Sequence, residues 1–222
     1  DQVSKILNIP LVYMCHSYEH ICKYGGAPAI TAHCDKICDR CPNKNRDFSP
    51  ALAIANSNFT NNMLTNEFGF ETVTIYPSIL FDNKATISSR IGPSSMYRVS
   101  ISKGFDRLES IAKQFKDKRY NIYGYQDYSL DKIDNNVSIL GLLKEIPFSN
   151  ENIAMHIAPF RDEPYGMTIV EAQYAGVPVV ASNLCAVLHD DIIQFGHVVN
   201  DPDDIDEWVN KIDKVSKLCA SQ

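Results

Sequence analysis

Residues 163–182 read EPYGMTIVEAQYAGVPVVAS, with the carboxylates of Glu163 and Glu171 eight positions apart. Gly166 opens an apolar run at helical spacing, and a Gly-x-Pro break at Gly176 then leads into a β-rich segment. The first turn of the predicted helix points N–H groups outward, where an anion such as a diphosphate binds favourably. Glu163 would lie before the helix and Glu171 inside it. Both side chains can then face one pocket and accept hydrogen bonds from sugar hydroxyls.

The second half of the chain alternates apolar segments with helical patterns. Leu108, Ile111, Ala112 and Phe115 form one helical face, and a last helix should begin at Asp201-Pro202, where Asp suits the cap and Pro the first position. Strands alternating with helices predict an α/β fold, a parallel sheet with helices on both faces. Ligands bind beyond the carboxyl ends of such strands. The predicted strands are residues 97–101, 120–123, 137–140, 153–158 and 177–181.

The quoted stretch resembles the E-x7-E signature of retaining GT-B glycosyltransferases, the glycosyl transferases group 1 family (glycosyltransferase family 4). In that family the run reads roughly E-P-F-G-x-x-x-x-E-A-x-A-x-G-x-P-V-V-A-S, and the match keeps its Gly and Pro in register over residues 163–182. The resemblance implies a GT-B-type Rossmann-like parallel sheet. It also implies an enzyme that moves a sugar from a nucleotide-sugar donor to an acceptor, with retention and without a metal. The alternative is an ordinary helix with solvent-exposed glutamates.

The resemblance divides the chain into two parts. Residues 1–77 would be a partial N-terminal, acceptor-side α/β segment, and residues 78–222 the C-terminal nucleotide-sugar-binding domain. No element is evident from Ser78 to Ser95, which we interpret as a linker. The N-terminal domain is expected to be incomplete, because the family's domain is more than twice as long.

Two cations precede the motif. The string from Tyr97 to Gly104, YRVSISKG, resembles the family's G-R-x-x-x-x-K-G element, whose Arg and Lys clamp the donor's diphosphate. The matching residues are Arg98 and Lys103. Fixed cations stabilise the charge that develops on a leaving diphosphate without needing a metal. The alternative is a pair of solvated surface cations, and the family's Gly before Arg is Tyr97 here.

The resemblance also implies roles for the remaining site residues. Glu171 would accept hydrogen bonds from the ribose hydroxyls, while Glu163 meets the donor sugar together with the backbone of Gly166, Met167 and Thr168. His16 ends the first predicted strand and is similar to a strand-end His that faces the transferred sugar across the cleft. A lone His at a strand end is equally well explained as structural. Glu163 and His16 are the catalytic candidates.

A cysteine-rich loop over residues 15–41 leaves three interpretations open. Cys34, Cys38 and Cys41 have C-x3-C-x2-C spacing, and Cys22 could be a fourth ligand. The set would suit a structural zinc or a redox-sensitive clip, an iron–sulfur cluster, or unbound thiols. The chain has seven cysteines in all, an odd number that fits a reducing cytoplasm better than a secreted disulfide framework.

Composition limits the partners. The formal net charge of −6 provides no basic stripe for a nucleic acid, and no run of eighteen apolar residues could span a membrane. The expected partners are a UDP- or GDP-sugar donor and a glycan, lipid or small-molecule acceptor, with peripheral membrane association left open. Where the family shows G-G-x-x-E, residues 185–189 read CAVLH. The lost glycines keep a second hypothesis open, a non-catalytic sugar-nucleotide-binding fragment or pseudoenzyme.

Overall fold

The chain divides into two compact units, Asp1–Ser78 and Ile79–Gln222. The computed structural model describes residues 2–16, 49–79, 92–126, 133–142, 148, 153–161, 163–190 and 196–220. Each unit contains a sheet whose described strand pairings are all parallel. Both units therefore have the α/β character that the alternating sequence pattern predicts.

The first unit contains a three-stranded sheet. Helix α2 begins after Ser57, whose hydroxyl accepts a hydrogen bond from the Thr60 amide at 3.1 Å, and ends at Gly69 in the left-handed conformation with φ 66°. The strand order is β1-β2-β3. The elements are α1 (Gln2–Leu7), β1 (Val12–Cys15), β2 (Leu52–Ala55), α2 (Asn58–Phe68) and β3 (Thr72–Thr74).

The second unit contains a six-stranded sheet with the order β6-β5-β4-β7-β8-β9. The chain runs outward from β4 to β6 and then returns to the other side of β4 with β7. The carboxyl ends of β4 and β7 therefore flank a topological switch point, where open α/β sheets bind their ligands. The elements are β4 (Ser94–Val99), α3 (Phe105–Gln114), β5 (Tyr120–Gln126), β6 (Val137–Gly141), β7 (Met155–Ala158), α4 (Met167–Tyr174), β8 (Val179–Ser182), a short 3-10 helix (Ala186–Asp190), β9 (Gly196–Val199) and α5 (Ile205–Ala220).

Helices cover both faces of this sheet. Val180 packs in one core cluster with residues of α3 and α5, whereas its neighbours Val179 and Ala181 pack in a second cluster with residues of α4. Successive strand residues point to opposite faces, so α3 and α5 lie on one face and α4 on the other. The longest described helix, α5, has 16 residues, and no helix within the described ranges is long and apolar enough to cross a membrane.

Several predicted boundaries are wrong. Strand β5 continues to Gln126, and β7 and β8 each begin two residues later than predicted, at Met155 and Val179. Two further differences concern β4 and α5. Strand β4 covers Ser94–Val99 rather than residues 97–101, so the interpretation of residues 78–95 as a linker extends two residues too far. Helix α5 begins at Ile205 instead of at Asp201-Pro202. Its cap is Asp204, whose carboxylate accepts hydrogen bonds from the amides of residues 206 and 207 at 2.9 and 3.1 Å. Pro202 lies in the preceding turn, where its carbonyl accepts the indole N–H of residue 208 at 3.0 Å.

Candidate functional site

Arg98 lies at the carboxyl end of the central strand β4. Its φ of 70° is a left-handed conformation that is uncommon outside glycine, and the register against β5 shifts between Tyr97 and Val99. The side chain of Arg98 is exposed. The bulge thus places an exposed cation at the edge of the switch point.

The loop after β4 lies against the loop after β7. Gly104 has φ 75°, and a Cβ added there would stand 1.9 Å from the carbonyl oxygen of Pro159. The Arg161 amide also donates to the Ser102 carbonyl at 3.0 Å. Only glycine permits this approach, which brings the two loops into direct contact.

Lys103 and Glu163 meet across these two loops. The Lys103 ammonium forms an ion pair with the Glu163 carboxylate, and it lies 4.9 Å from the centre of the Phe160 ring. The two charged side chains are 24% and 15% exposed. The structure therefore brings together two of the residues that the sequence assigned to one site.

Arg161 and Asp106 fix the loop that carries Glu163. The Arg161 guanidinium makes two hydrogen bonds of 2.7 Å to the Asp106 carboxylate, in the first turn of α3, and a third of 3.1 Å to the Ile101 carbonyl. Bidentate pairs of this kind add geometric specificity to attraction. Sequence reasoning missed Arg161, because its partner lies 55 positions away along the chain.

Arg107, on α3, also holds the loop that carries Glu163. Its buried guanidinium donates to the carbonyls of Pro159 and Phe160 at 3.2 and 3.4 Å and pairs with Asp203 at 2.6 Å. Sequence analysis also missed this residue. A signal was present, since Arg107 stands between the buried Phe105 and Leu108 on α3, and a charge in an apolar face needs a partner.

The segment after β8 holds the backbone of the Glu163 loop. The Glu163 amide donates to the Leu184 carbonyl at 3.3 Å, while the Ala186 and Val187 amides donate to the carbonyls of Glu163 and Tyr165, each at 2.9 Å. The family's two glycines would correspond to Cys185 and Ala186 of this segment. Here the amides of residues 186 and 187 are engaged in holding the Glu163 loop.

Helix α4 starts directly after this loop. Gly166, with φ 106°, is its N-cap residue and provides no side-chain cap. An added Cβ would lie 3.1 Å from a Val187 methyl group and 3.2 Å from one of Ile169. The N–H groups of the first turn, at Met167 and Thr168, therefore lie at the positive end of the helix dipole without a capping side chain.

Glu171 lies in the middle of α4. One of its carboxylate oxygens, Oε2, is buried and has no hydrogen-bond partner among the described residues. Burial raises the pKa of Glu171 to about 7. A buried acceptor without a donor is rare in folded proteins, so Glu171 is a candidate for contact with a ligand donor.

His16 belongs to the first unit, whereas the residues described above belong to the second. His16 follows β1 in the first unit, its side chain is exposed, and its carbonyl accepts a hydrogen bond from the Asn56 amide at 3.3 Å. Cys22, Cys34, Cys38 and Cys41 lie outside the described residues. Within the described ranges, no group of three or more His, Cys, Asp or Glu side chains could hold a metal ion.

A site at the switch point of a parallel sheet, beside the N-terminus of a helix, is typical of Rossmann-like domains that bind nucleotides. The family model described as glycosyl transferases group 1 matches residues 96–217, so the chain belongs to that family. This confirms the family expected from the E-x7-E resemblance. A search of curated protein sequences found no significant match.

Solved glycosyltransferase structures show the same fold. HepE from Anabaena, in complex with UDP, is 20% identical with a TM-score of 0.68, and the match covers 99% of this chain and 70% of HepE. Sucrose-phosphate synthase from Thermosynechococcus elongatus is 17% identical with a TM-score of 0.76, covering 99% of this chain and 61% of that protein. At these identities the similarity concerns the fold, and it confirms the predicted GT-B-type α/β architecture.

Proposed function

We propose that this protein is a retaining, metal-independent glycosyltransferase that moves a sugar from a UDP- or GDP-sugar to a glycan, lipid or small-molecule acceptor in the cytoplasm. Residues 78–222 would bind the donor and residues 1–77 would belong to the acceptor side. The proposal depends above all on Glu171. Its buried carboxylate oxygen, which has no partner in the described part of the chain, lies on the helix that directly follows the Glu163 loop and has no side-chain cap at its N-terminus.

Arg98 and Lys103 would hold the donor's diphosphate together with the first-turn amides of α4. Negative charge grows on the diphosphate as the bond to the sugar breaks. Fixed cations and helix N–H groups stabilise that charge with little reorganisation. This arrangement needs no metal ion to balance the leaving group. Each charge-assisted hydrogen bond contributes about 1.5–3 kcal/mol in a partly desolvated site.

The two glutamates would bind the two ends of the donor. Glu171 accepts hydrogen bonds from the ribose hydroxyls, since these are the donors that a buried carboxylate oxygen requires. Glu163 meets the donor sugar with the backbone of residues 166–168, and the anchors at Arg107 and Arg161 keep its loop in place. The role of His16, opposite the donor sugar, and the retention of configuration rest on the family resemblance.

The test is a calorimetric titration with UDP, GDP, UDP-glucose and GDP-mannose. HepE has been crystallised with UDP and with UDP-glucose, which makes the uridine ligands the first to try. We expect one base to bind, and Glu171→Ala to weaken that binding more than tenfold, a loss of about 1.4 kcal/mol. The matched control is Glu109→Ala, a glutamate on α3 whose pKa is also raised by burial. No heat from any ligand, or equal losses in both variants, would refute the proposal.

A non-catalytic sugar-nucleotide-binding protein is the second candidate. It is favoured by the segment after β8, where the family's glycines are replaced and the amides of residues 186 and 187 are engaged with the Glu163 loop. Such a protein would bind the donor but neither transfer nor slowly hydrolyse it. Proton NMR of a nucleotide-sugar solution with the protein separates the two cases. The first sugar released shows whether the anomeric configuration is retained.

A further inference from the structure

His156 is a fully buried residue on β7, the strand that precedes the Glu163 loop. It is 0% exposed, and the Phe148 ring packs edge-on against it at 5.1 Å between centroids. Its Nδ1 lies 3.2 Å from the Ser95 hydroxyl, and its Nε2 lies 3.2 Å from the Thr168 hydroxyl. His156, which has no other assigned role in the site, thus contacts the first turn of α4.

The contacts around His156 favour one arrangement of its protons. Burial lowers the pKa of His156 to about 3, so the ring is neutral and has one N–H group. The Ser95 hydroxyl donates its proton to the Met155 carbonyl at 3.4 Å. With that proton directed to Met155, the Ser95 oxygen accepts from Nδ1–H and Nε2 is left as an acceptor. Nε2 then accepts the proton of the Thr168 hydroxyl. The opposite tautomer, with Ser95 donating to Nδ1 and Nε2–H donating to Thr168, is the alternative that the measurements below distinguish.

This pattern limits what Thr168 can do for a ligand. Its only hydroxyl proton is directed inward to His156, so the oxygen can offer lone pairs alone. A phosphate oxygen needs a donor and gains nothing from such a group. A sugar hydroxyl, which donates, is a suitable partner. Thr168 is partly exposed in the first turn of α4, where the proposed function places the donor sugar.

We propose that His156 is a positioning residue that makes Thr168 a dedicated hydrogen-bond acceptor for a hydroxyl of the donor sugar. The inference rests on the proposed function. The competing explanation is that His156 only fills the core and satisfies its own nitrogens. The two explanations differ in one respect, because a packing role would leave the discrimination between a nucleotide sugar and the bare nucleoside diphosphate unchanged.

The binding test uses UDP and UDP-glucose, or GDP and GDP-mannose if guanosine is the base that binds. Thr168→Val removes the hydroxyl at equal size, and we expect it to weaken nucleotide-sugar binding about tenfold and diphosphate binding less than about twofold. His156→Phe should show the same selective loss. The double variant should lose no more than either single change, because the two residues act as one unit. Additive losses, or equal losses for both ligands, would overturn the proposal.

Two further measurements test the proposal even if the His156→Phe variant fails to fold. His156→Gln offers an amide oxygen to the Thr168 hydroxyl and should restore most of the selectivity; no recovery in a folded His156→Gln protein would overturn the proposal. Nitrogen-15 NMR of the wild-type ring should show a protonated Nδ1 and an unprotonated Nε2. The opposite tautomer would also overturn it.

The proposed function and this inference fail in different ways. If the wild-type protein binds none of the four nucleotides, the proposed function fails and takes the inference with it. If the wild-type protein binds a nucleotide sugar and the His156 variants bind it equally well, the donor site stands and the inference alone is wrong.

Discussion

The Lys103 ammonium and the Glu163 carboxylate form an ion pair across the loops that follow β4 and β7, although the residues are 60 positions apart. Both side chains are largely enclosed, so each charge compensates the other in the absence of ligand. A bound diphosphate would offer Lys103 a second anionic partner. Donor binding is therefore expected to compete with this pair, and that competition can be measured.

Lys103→Met should weaken binding of the nucleoside diphosphate about ten- to a hundredfold, because one charge-assisted hydrogen bond to phosphate is lost. Glu163→Gln should act differently. It releases Lys103 from its partner, so diphosphate affinity should be kept or raised while sugar transfer falls at least about a hundredfold. Calorimetry and a transfer assay on both variants test this contrast. A parallel loss of diphosphate affinity in both would show that the pair does not compete with the ligand.

Arg98→Ala and Arg98→Gly should lose diphosphate binding equally, because both remove the guanidinium. Neither should change the affinity for the bare nucleoside. Their stabilities should differ, since residue 98 has φ 70° and glycine relieves the strain that alanine keeps. We expect Arg98→Gly to be more stable by about 1 kcal/mol in urea unfolding. Equal losses of nucleoside and diphosphate binding would argue against a phosphate contact.

Gly104→Ala should destabilise the protein far more than Gly141→Ala. Both glycines have φ 75°, but an added Cβ at residue 104 meets the Pro159 carbonyl oxygen at 1.9 Å, whereas at residue 141 nothing lies within 4 Å. The control should cost about 1–2 kcal/mol for the backbone conformation alone, and Gly104→Ala several kcal/mol more. Thermal unfolding of both variants gives the comparison. Equal melting temperatures would show that the two loops do not require contact at Gly104.

Glu171 should make stability fall as the pH rises. Its pKa is raised from an ordinary 4.5 to about 7 by burial, so the folded protein keeps a proton that the unfolded chain releases. The penalty is absent below pH 4.5, grows up to pH 7 and is constant above it. Because Glu171 is only partly buried, we expect about 1 kcal/mol rather than the full value of the shift.

Glu171→Gln removes this titration and provides its control. The melting temperature of the variant relative to wild type should rise by about 2–4 °C between pH 4.5 and pH 8. Nucleotide affinity of the wild-type protein should increase over the same interval, because the ionised carboxylate is the better acceptor for ribose hydroxyls. A difference in melting temperature that does not vary with pH would show that Glu171 is ionised throughout.

Local sequence patterns predicted most of the helices and strands, and the start of α5 shows where such patterns fail. The face of α3 and the start of a helix after Gly166 depend on neighbours within one or two helical turns, and the structure agrees with both predictions. The start of α5 was wrong because two consecutive segments, at Asp201 and at Asp204, both have cap chemistry. The contact of residue 208 with the Pro202 carbonyl keeps the first segment as a turn.

The supporting residues of the site were not predictable in the same way. Arg107, Arg161 and His156 act through partners at least 12 positions away, so a short-range pattern cannot identify those partners. Only Arg107 had a local signal, its place between two apolar residues of α3. Arg98 and Lys103 were found only because a family motif marks them. Their assigned roles remain predictions until ligand binding is measured.

The alternation of strands and helices, and the places of Glu163 before and Glu171 within one helix, can be read from the amino-acid pattern alone. These features follow from side-chain periodicity and from hydrogen bonds between near neighbours. The return of β7 to the side of β4 became visible only in the folded chain. It brings the two following loops together, so that Lys103 reaches Glu163. The order of strands in a sheet depends on packing between distant segments, and local periodicity does not encode it.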